Sequence, residues 1–204
     1  MKYKCFKWLG AALLLISGWH ALHAGYIIGK ATLAQYLLEQ AWQNSKQGEQ
    51  VKKPWQWADS WPIARLRLPH QPPMIVLSGA TGRALAFAPG HLSASALPGN
   101  PGTVVISGHR DTHFSHLAEL TTGDVLTLEA RQQKIHYQVI KTKIADTRTE
   151  KLVLNNSFNQ LILVTCYPFD ALETGGPYRY IVQAIQKKTK QQLKTLTNAQ
   201  HFTI

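Results

Sequence analysis

Residues 62–185 are cut into short apolar runs, each set off by Gly, Pro, Asn or Asp, and this punctuation restricts the fold more than any other feature. The stretch Ile63-Ala64-Arg65-Leu66-Arg67-Leu68 alternates apolar and basic side chains. That period of two suits a strand with one face buried. Residues 74–77 form a short apolar run, and 103–106 a further strand ended by Gly108. Residues 125–128 and 135–140 alternate again. Residues 161–164 run apolar into Thr165-Cys166, and 180–185 close the set. Helical spacing is scarce here, limited to a turn over 114–120. Several short strands separated by turn residues imply an all-β domain, a sandwich or a barrel. No internal repeat stands out.

The N-terminus has a different character. Lys2, Lys4 and Lys7 form a basic stub, and residues 8–29 contain no Asp, Glu, Lys or Arg. Those 22 residues exceed the roughly 20 that span a bilayer as a helix. The basic stub favours the cytoplasmic side and sends the remainder outward. A cleaved signal peptide is the alternative. Its best cleavage site follows Ala24, but Leu22 at the −3 position is not small, so an uncleaved anchor is expected. Residues 32–42 carry Leu33, Leu37, Leu38, Ala41 and Trp42 at helical spacing, read as a stalk. Residues 44–54 read as a linker, and Trp55, Trp57 and Trp61 are expected to cover one end of the core. The division is a stub and membrane segment over 1–30, a helical stalk and linker over 31–61, a β-domain over 62–186, and a basic extension over 187–204.

Charge and cysteine usage narrow the setting. The 22 basic and 11 acidic residues give a net charge of +11, and 8 of it remains from Lys30 onward. Such a surface suits anionic headgroups or acidic envelope polymers. Nucleic acid is not an expected partner: no basic helix with interleaved aromatics occurs, and no zinc or helix-turn-helix pattern. Cys5 sits at the cytoplasmic edge, which leaves Cys166 alone in the exported part and excludes an internal disulfide framework there. A lone exported thiol is either a buried bystander or a working nucleophile.

Three strands carry reactive residues. Thr103-Val-Val-Ile-Ser-Gly-His109-Arg110 delivers a histidine at its end, Leu161-Ile-Leu-Val-Thr165-Cys166 delivers the cysteine, and Arg179 interrupts the aromatic, apolar run Tyr178-Arg179-Tyr180-Ile181-Val182. An arginine in such a strand needs a partner or a task. These segments resemble the sortase family. The Gly-His-Arg ending is similar to its histidine strand, Leu163-Val164-Thr165-Cys166 to its Leu-x-Thr-Cys signature, and residues 178–182 to its arginine strand. Gly90-His91, followed by Pro98-Gly99-Asn100-Pro101-Gly102, resembles the approach to the histidine. The order His, Cys, Arg is also the family's order, and the resemblance covers residues 62–185. The continuation Asp111-Thr112-His113-Phe114 and the Trp-rich block are most similar to the class GN subclass of Gram-negative bacteria.

The resemblance implies an all-β, eight-stranded barrel with short helices behind an N-terminal transmembrane helix. It implies a cysteine transpeptidase, of the thiol-protease class of hydrolases, that cuts a C-terminal sorting signal of Leu-Pro-x-Thr-Gly type between Thr and Gly. The acyl part is held as a thioester and passed to an amine in the envelope. Catalysis falls to Cys166, His109 and Arg179. Thr165, His91, Arg110 and Tyr167 are candidates for the substrate groove. No cofactor is implied, and without an acidic cluster calcium is not carried over. The setting is the inner (cytoplasmic) membrane, crossed once, with the catalytic domain in the periplasm.

The residues support this chemistry by themselves. A thiolate is the reactive form of cysteine and needs a base or a positive neighbour. His109 can be that base and can then protonate a leaving amine. Arg179 can stabilise an oxyanion. His109, His113 and His116 lack the Glu-x-x core of a zinc protease helix, so no metal is expected. An L,D-transpeptidase-like enzyme is the competing class, but it needs Ser-x-Gly before its cysteine, and Val164-Thr165 stands here. A non-catalytic membrane-tethered binding domain of the same fold is the other alternative.

Overall fold

The computed structural model describes residues 2–48, 50–154, 158–171 and 175–187. Of the basic extension, only Lys187 falls within them. The elements are α1 (Lys2–Gln47), β1 (Pro62–Arg67), β2 (Met74–Ser78), α2 (Gly82–Leu85), β3 (Gly90–His91), β4 (Thr103–Ser107), a 3₁₀ turn (Ser115–Glu119), β5 (Val125–Glu129), β6 (Lys134–Asp146), β7 (Gln160–Cys166) and β8 (Tyr178–Gln186).

The eight strands close into a barrel in the order β1-β2-β3-β4-β7-β8-β6-β5. Closure leaves no sheet edge unpaired. The alternation in the sequence decides what fills the barrel. Ala64, Leu66, Val104, Ile106, Leu126, Leu128, Leu161, Leu163, Val182 and Ala184 point inward and are fully buried in one cluster. Phe114 and Leu117, from the segment after β4, plug it.

The outward residues are covered in two places. Ile75 and Leu77 of β2 pack against Ala84, Ala88, Leu38 and Trp42. The second half of α1 is therefore part of the domain and lies on it along its length. Gln35 donates to Phe87 O at 2.7 Å, Arg131 Nε donates to Ser45 O at 2.9 Å, and the pairs Arg65–Glu39 and Lys46–Glu129 hold the charged side. The first half contrasts with this. From Gly10 the helix is long and apolar enough to cross a membrane, and none of the most apolar window is buried against protein. Trp55 meets Phe87 edge to face, whereas Trp57 points into solvent instead of covering the core.

The second covered place is an apolar floor on the outside of β4, β6, β7 and β8, made by Val105, Ala145, Ile162 and Ile181 with Leu154 and Val164. A register shift between Val139 and Lys141 sets it up. Before the shift, Ile135, Tyr137 and Val139 face the core; after it, Lys143 and Ala145 pair with Ile181 and Arg179 on the outer face. A bulge of this kind exchanges the two faces of a strand.

Candidate active site

The registers of three adjacent strands converge on one row. β4 and β7 run parallel, with Val104 opposite Leu161 and Ser107 opposite Val164. The pairing continues beyond β4. Gly108 N donates to Val164 O at 3.2 Å, and the buried Thr165 Oγ1 donates to Gly108 O at 2.8 Å. The next residues in line are His109 and Cys166. On its other side β7 pairs antiparallel with β8, and Cys166 stands opposite Arg179. Neighbouring strands lie about 4.8 Å apart. Arg179 thus stands one strand spacing from the cysteine on one side, and on the other the end of β4 leads through Gly108 to His109.

Cys166 and Arg179 belong to the outer face. Cys166 is two and four residues on from Val164 and Ile162, and Arg179 is two residues before Ile181, all of them members of the outer floor. Cys166 is half-buried and unpaired, and His109 is exposed. The Arg179 side chain lines an outer cleft of about 610 Å³ together with Leu92, Lys143, Glu150, Val153 and Gln183. Among the described residues, its Nη1 donates to Gly176 O at 2.6 Å and to Tyr178 O at 2.8 Å. Those two bonds hold the fork in place, and among the described residues Nε and Nη2 have no hydrogen-bond partner.

The loop carrying His109 is fixed from three directions. Gly108 lies under the ring of Phe114, where a Cβ would come within 2.9 Å of ring carbons, so only glycine fits. Phe114 N donates to His109 O at 3.0 Å. Arg110 then ties this loop to the β7–β8 connection. It is buried, and it donates from Nε to Asp111 Oδ1 at 2.8 Å, from Nη1 to Pro168 O at 2.6 Å and from Nη2 to Ala171 O at 2.7 Å. Asp111 raises the Arg110 guanidinium above its ordinary value, and Cys166 contributes in the same direction, so this cation sits within electrostatic reach of the thiol. The neighbouring His113 imidazole is pushed below the usual histidine range by burial and by His109.

The residues expected around the groove divide into different tasks. Thr165 faces the barrel interior and positions Gly108. Tyr167 stacks with Tyr180 and meets Phe169 edge to face at the foot of the β7–β8 connection. His91 is buried away from the Arg179 cleft. Its Nε2 is 2.9 Å from Ala96 O and 3.0 Å from Ser95 Oγ, and burial holds the ring below the usual histidine range against the Ala96 bond. It borders instead a second hollow with Asp59, Trp61 and Ser78. The adjacent Leu92 is the residue that lines the Arg179 cleft. Sequence reading passed over Leu92, Lys143 and Glu150. Leu92 follows His91 on a two-residue strand, too short to show a period, and the Lys143 direction depends on the β6 bulge.

The family model for the sortase domain matches residues 70–187, more than half of the chain. The chain belongs to the sortase family. Sortase D of Bacillus subtilis is 38% identical over 108 residues, which are 52% of this chain and 54% of the relative. The match therefore spans about half the length of that curated relative. Among solved structures, a Clostridium perfringens Sortase D5 transpeptidase shares the fold with a TM-score of 0.61 at 22% identity, covering 77% of this chain and 99% of the other. Sortase A from Corynebacterium diphtheriae, in a lid mutant, aligns with a TM-score of 0.58 at 25% identity over 66% of this chain and 74% of that one. These likenesses are to Sortases D and A and do not support the assignment to the Gram-negative subclass. The sortase model takes in β2 to β8, and hence the whole His109–Cys166–Arg179 row.

Proposed function

We propose that this sortase is a membrane-tethered cysteine transpeptidase in which Cys166 is the nucleophile, His109 the acid and base, and Arg179 the oxyanion stabiliser. The observation that carries the reading is the row formed when Cys166 stands opposite Arg179 and the β4–β7 register leads into His109. The substrate is a protein with a C-terminal sorting signal of Leu-Pro-x-Thr-Gly type. It lies along the outer floor of Val164, Ile181 and Ala145, with the threonine carbonyl over Cys166.

The Cys166 thiolate attacks that carbonyl, and its oxygen takes up the negative charge. Arg179 faces this oxyanion with the donors that its backbone bonds leave over; one such donor is typically worth about 2.7–4 kcal/mol. Collapse breaks the Thr–Gly bond while His109 gives its proton to the departing glycine amine. The acyl group remains on sulfur as a thioester. An amine in the envelope then attacks it, His109 takes the amine's proton, and the thiolate is released. Water in place of the amine gives hydrolysis at the same centre. Lys143, which donates to Glu150 at 2.7 Å, and Leu92 form the walls along which the signal would lie.

α1 holds the domain at the cytoplasmic membrane, with the barrel on the far side from the basic stub. A reporter fused after Gln50 should be active outside the cytoplasm; activity only inside would overturn this orientation. The reaction is tested by supplying the protein with a Leu-Pro-x-Thr-Gly peptide and a glycine-based amine. A new amide at threonine, absent with a scrambled peptide, is the expected product. Cleavage at another bond, or no reaction with any peptide of this type, would contradict the reading.

A further inference from the structure

The pairing between β4 and β7 reaches Gly108 and Thr165 and stops there. His109 and Cys166 come one residue later on each chain. From that point the backbones separate, one into the turn over residues 109–114 and the other into the β7–β8 connection. Each segment is secured on its own side. The N–H of Phe114, a core residue, donates to His109 O at 3.0 Å, and Tyr167 N donates to Tyr178 O at 3.1 Å. Neither bond sets the gap between the two segments.

Among the described residues, every hydrogen bond that crosses from residues 109–114 to residues 167–171 is made by Arg110. Its Nη1 donates to Pro168 O at 2.6 Å and its Nη2 to Ala171 O at 2.7 Å. Its Nε donates to Asp111 Oδ1 at 2.8 Å, which fixes the plane of the guanidinium. Arg110 adjoins His109 in the chain, and Pro168 lies two residues past Cys166. The fork is rigid and planar, so it grips both carbonyls at a set spacing. Both acceptors are backbone atoms, so they cannot shift without their chain. Arg110 is only 5% exposed and its donors are spent on the protein itself, so it is not available to a peptide. Proton transfer demands a separation of about 2.6–3.2 Å, which loosely joined loops would not maintain.

We infer that Arg110 is a positioning residue for the acyl transfer: from the place next to His109 it holds Pro168 O and Ala171 O, and so sets the separation of His109 from Cys166 and joins the β7–β8 connection to the histidine turn. The inference rests on the roles proposed above for Cys166 and His109.

The full chain in detergent tests this, with a Leu-Pro-x-Thr-Gly peptide and a glycine-based amine. Arg110→Ala should lower turnover by about 10²-fold, the loss expected for a misplacement of about 1 Å. Arg110→Lys, which keeps the charge without the fork, should lower it by less. KM should stay near the wild-type value in both. A readout that needs no peptide is the His109 ring signal in NMR, assigned by its loss in His109→Ala. In a Cys5→Ser background, alkylation of Cys166 by iodoacetamide should displace that signal with Arg110 in place and displace it much less in Arg110→Lys. A role confined to packing would leave the displacement unchanged. Circular dichroism checks folding, and if Arg110→Ala does not fold, the lysine variant decides. Wild-type turnover in Arg110→Lys, an equal displacement in that variant, or no displacement with Arg110 in place would overturn the inference. An Arg110-dependent displacement in a protein that transfers no peptide would count against the transpeptidase reading and leave the positioning standing.

Discussion

β7 and β8 each have two faces with different work. Inward, Leu161, Leu163, Val182 and Ala184 are buried in a core that admits no solvent. Outward, Val164, Cys166, Arg179 and Gln183 are half-open, and three of the four carry polar or reactive groups. The inner face fixes where the strands sit, while on the outer face the buried Ile162 and Ile181 lie beside these half-open residues. Thr165 is the exception, an inward side chain whose hydroxyl holds the histidine loop. Chemistry placed this way can be lost without loss of fold, and the fold can be weakened without any change in the identity of the reacting groups.

Substitutions can test that contrast. On the outer face, Cys166→Ala should lower peptide transfer by on the order of 10⁴-fold or more, as for other essential nucleophiles. The melting temperature should hardly move. A large drop in melting temperature would mean that Cys166 is a packing residue. Arg179→Ala should lower the turnover rate by about 10²–10³-fold, the effect of removing one oxyanion donor, with little change in KM. Arg179→Lys should be less damaged but still impaired, because lysine keeps the charge and loses the planar fork. A raised KM with an intact rate would make Arg179 a substrate-binding residue instead.

The inner face should answer in stability. Leu163→Ala should cost about 2–5 kcal/mol in urea unfolding, the usual range for a leucine removed from a filled core. The folded fraction should keep its Cys166 reactivity toward iodoacetamide. Thr165→Val crosses the two faces: it keeps the shape and leaves Gly108 O without its hydroxyl partner, at about 1–3 kcal/mol. It should also lower turnover more than it changes KM, because His109 loses its brace. Turnover at the wild-type level would detach Thr165 from the site.

The smallest effect concerns pH. Burial holds His91 and His113 below their ordinary value of 6.5. The unfolded chain then takes up protons before the folded one, so stability is fully present above about pH 6.5 and is lost as pH falls below it. Glu129, whose carboxylate is held below 4.5 mainly by Lys46, adds a loss only at lower pH. Between pH 6.5 and 5 the melting temperature should fall, and His91→Asn should flatten part of that slope. A slope unchanged in the variant would assign it to other groups.

The all-β class was legible because short apolar runs are separated by turn residues, and the eight-stranded barrel followed from the family resemblance. Residues 63–68 and 125–128 needed only the period of two to be placed on the faces they occupy, whereas the apolar run 161–164 packs on both faces. The three candidate residues drew notice from their places at or near strand ends; the β7–β8 register sets Cys166 opposite Arg179, and the β4–β7 register leads toward His109. What stayed hidden depended on contacts between distant segments. β3 is two residues long and shows no period. β6 runs on to Asp146 because a bulge, which no local pattern announces, resets its alternation. The stretch around Leu38 and Trp42 read as a stalk because its partners, Ile75 and Leu77, lie more than thirty residues away in sequence. Arg110 and Thr165 looked like groove residues because they adjoin His109 and Cys166, yet their side chains turn to the scaffold.

The central claim is that Cys166 forms the covalent intermediate with His109 and Arg179 beside it. Intact-protein mass spectrometry after an acid quench measures this directly, using a Leu-Pro-x-Thr-Gly peptide and no added amine. The account predicts an adduct with the mass of the acyl fragment, mapped to Cys166 and discharged by hydroxylamine. It should be missing in Cys166→Ala and His109→Ala and form slowly in Arg179→Ala. Peptide cleavage that persists in Cys166→Ala, or an adduct mapped to any other residue, would contradict it.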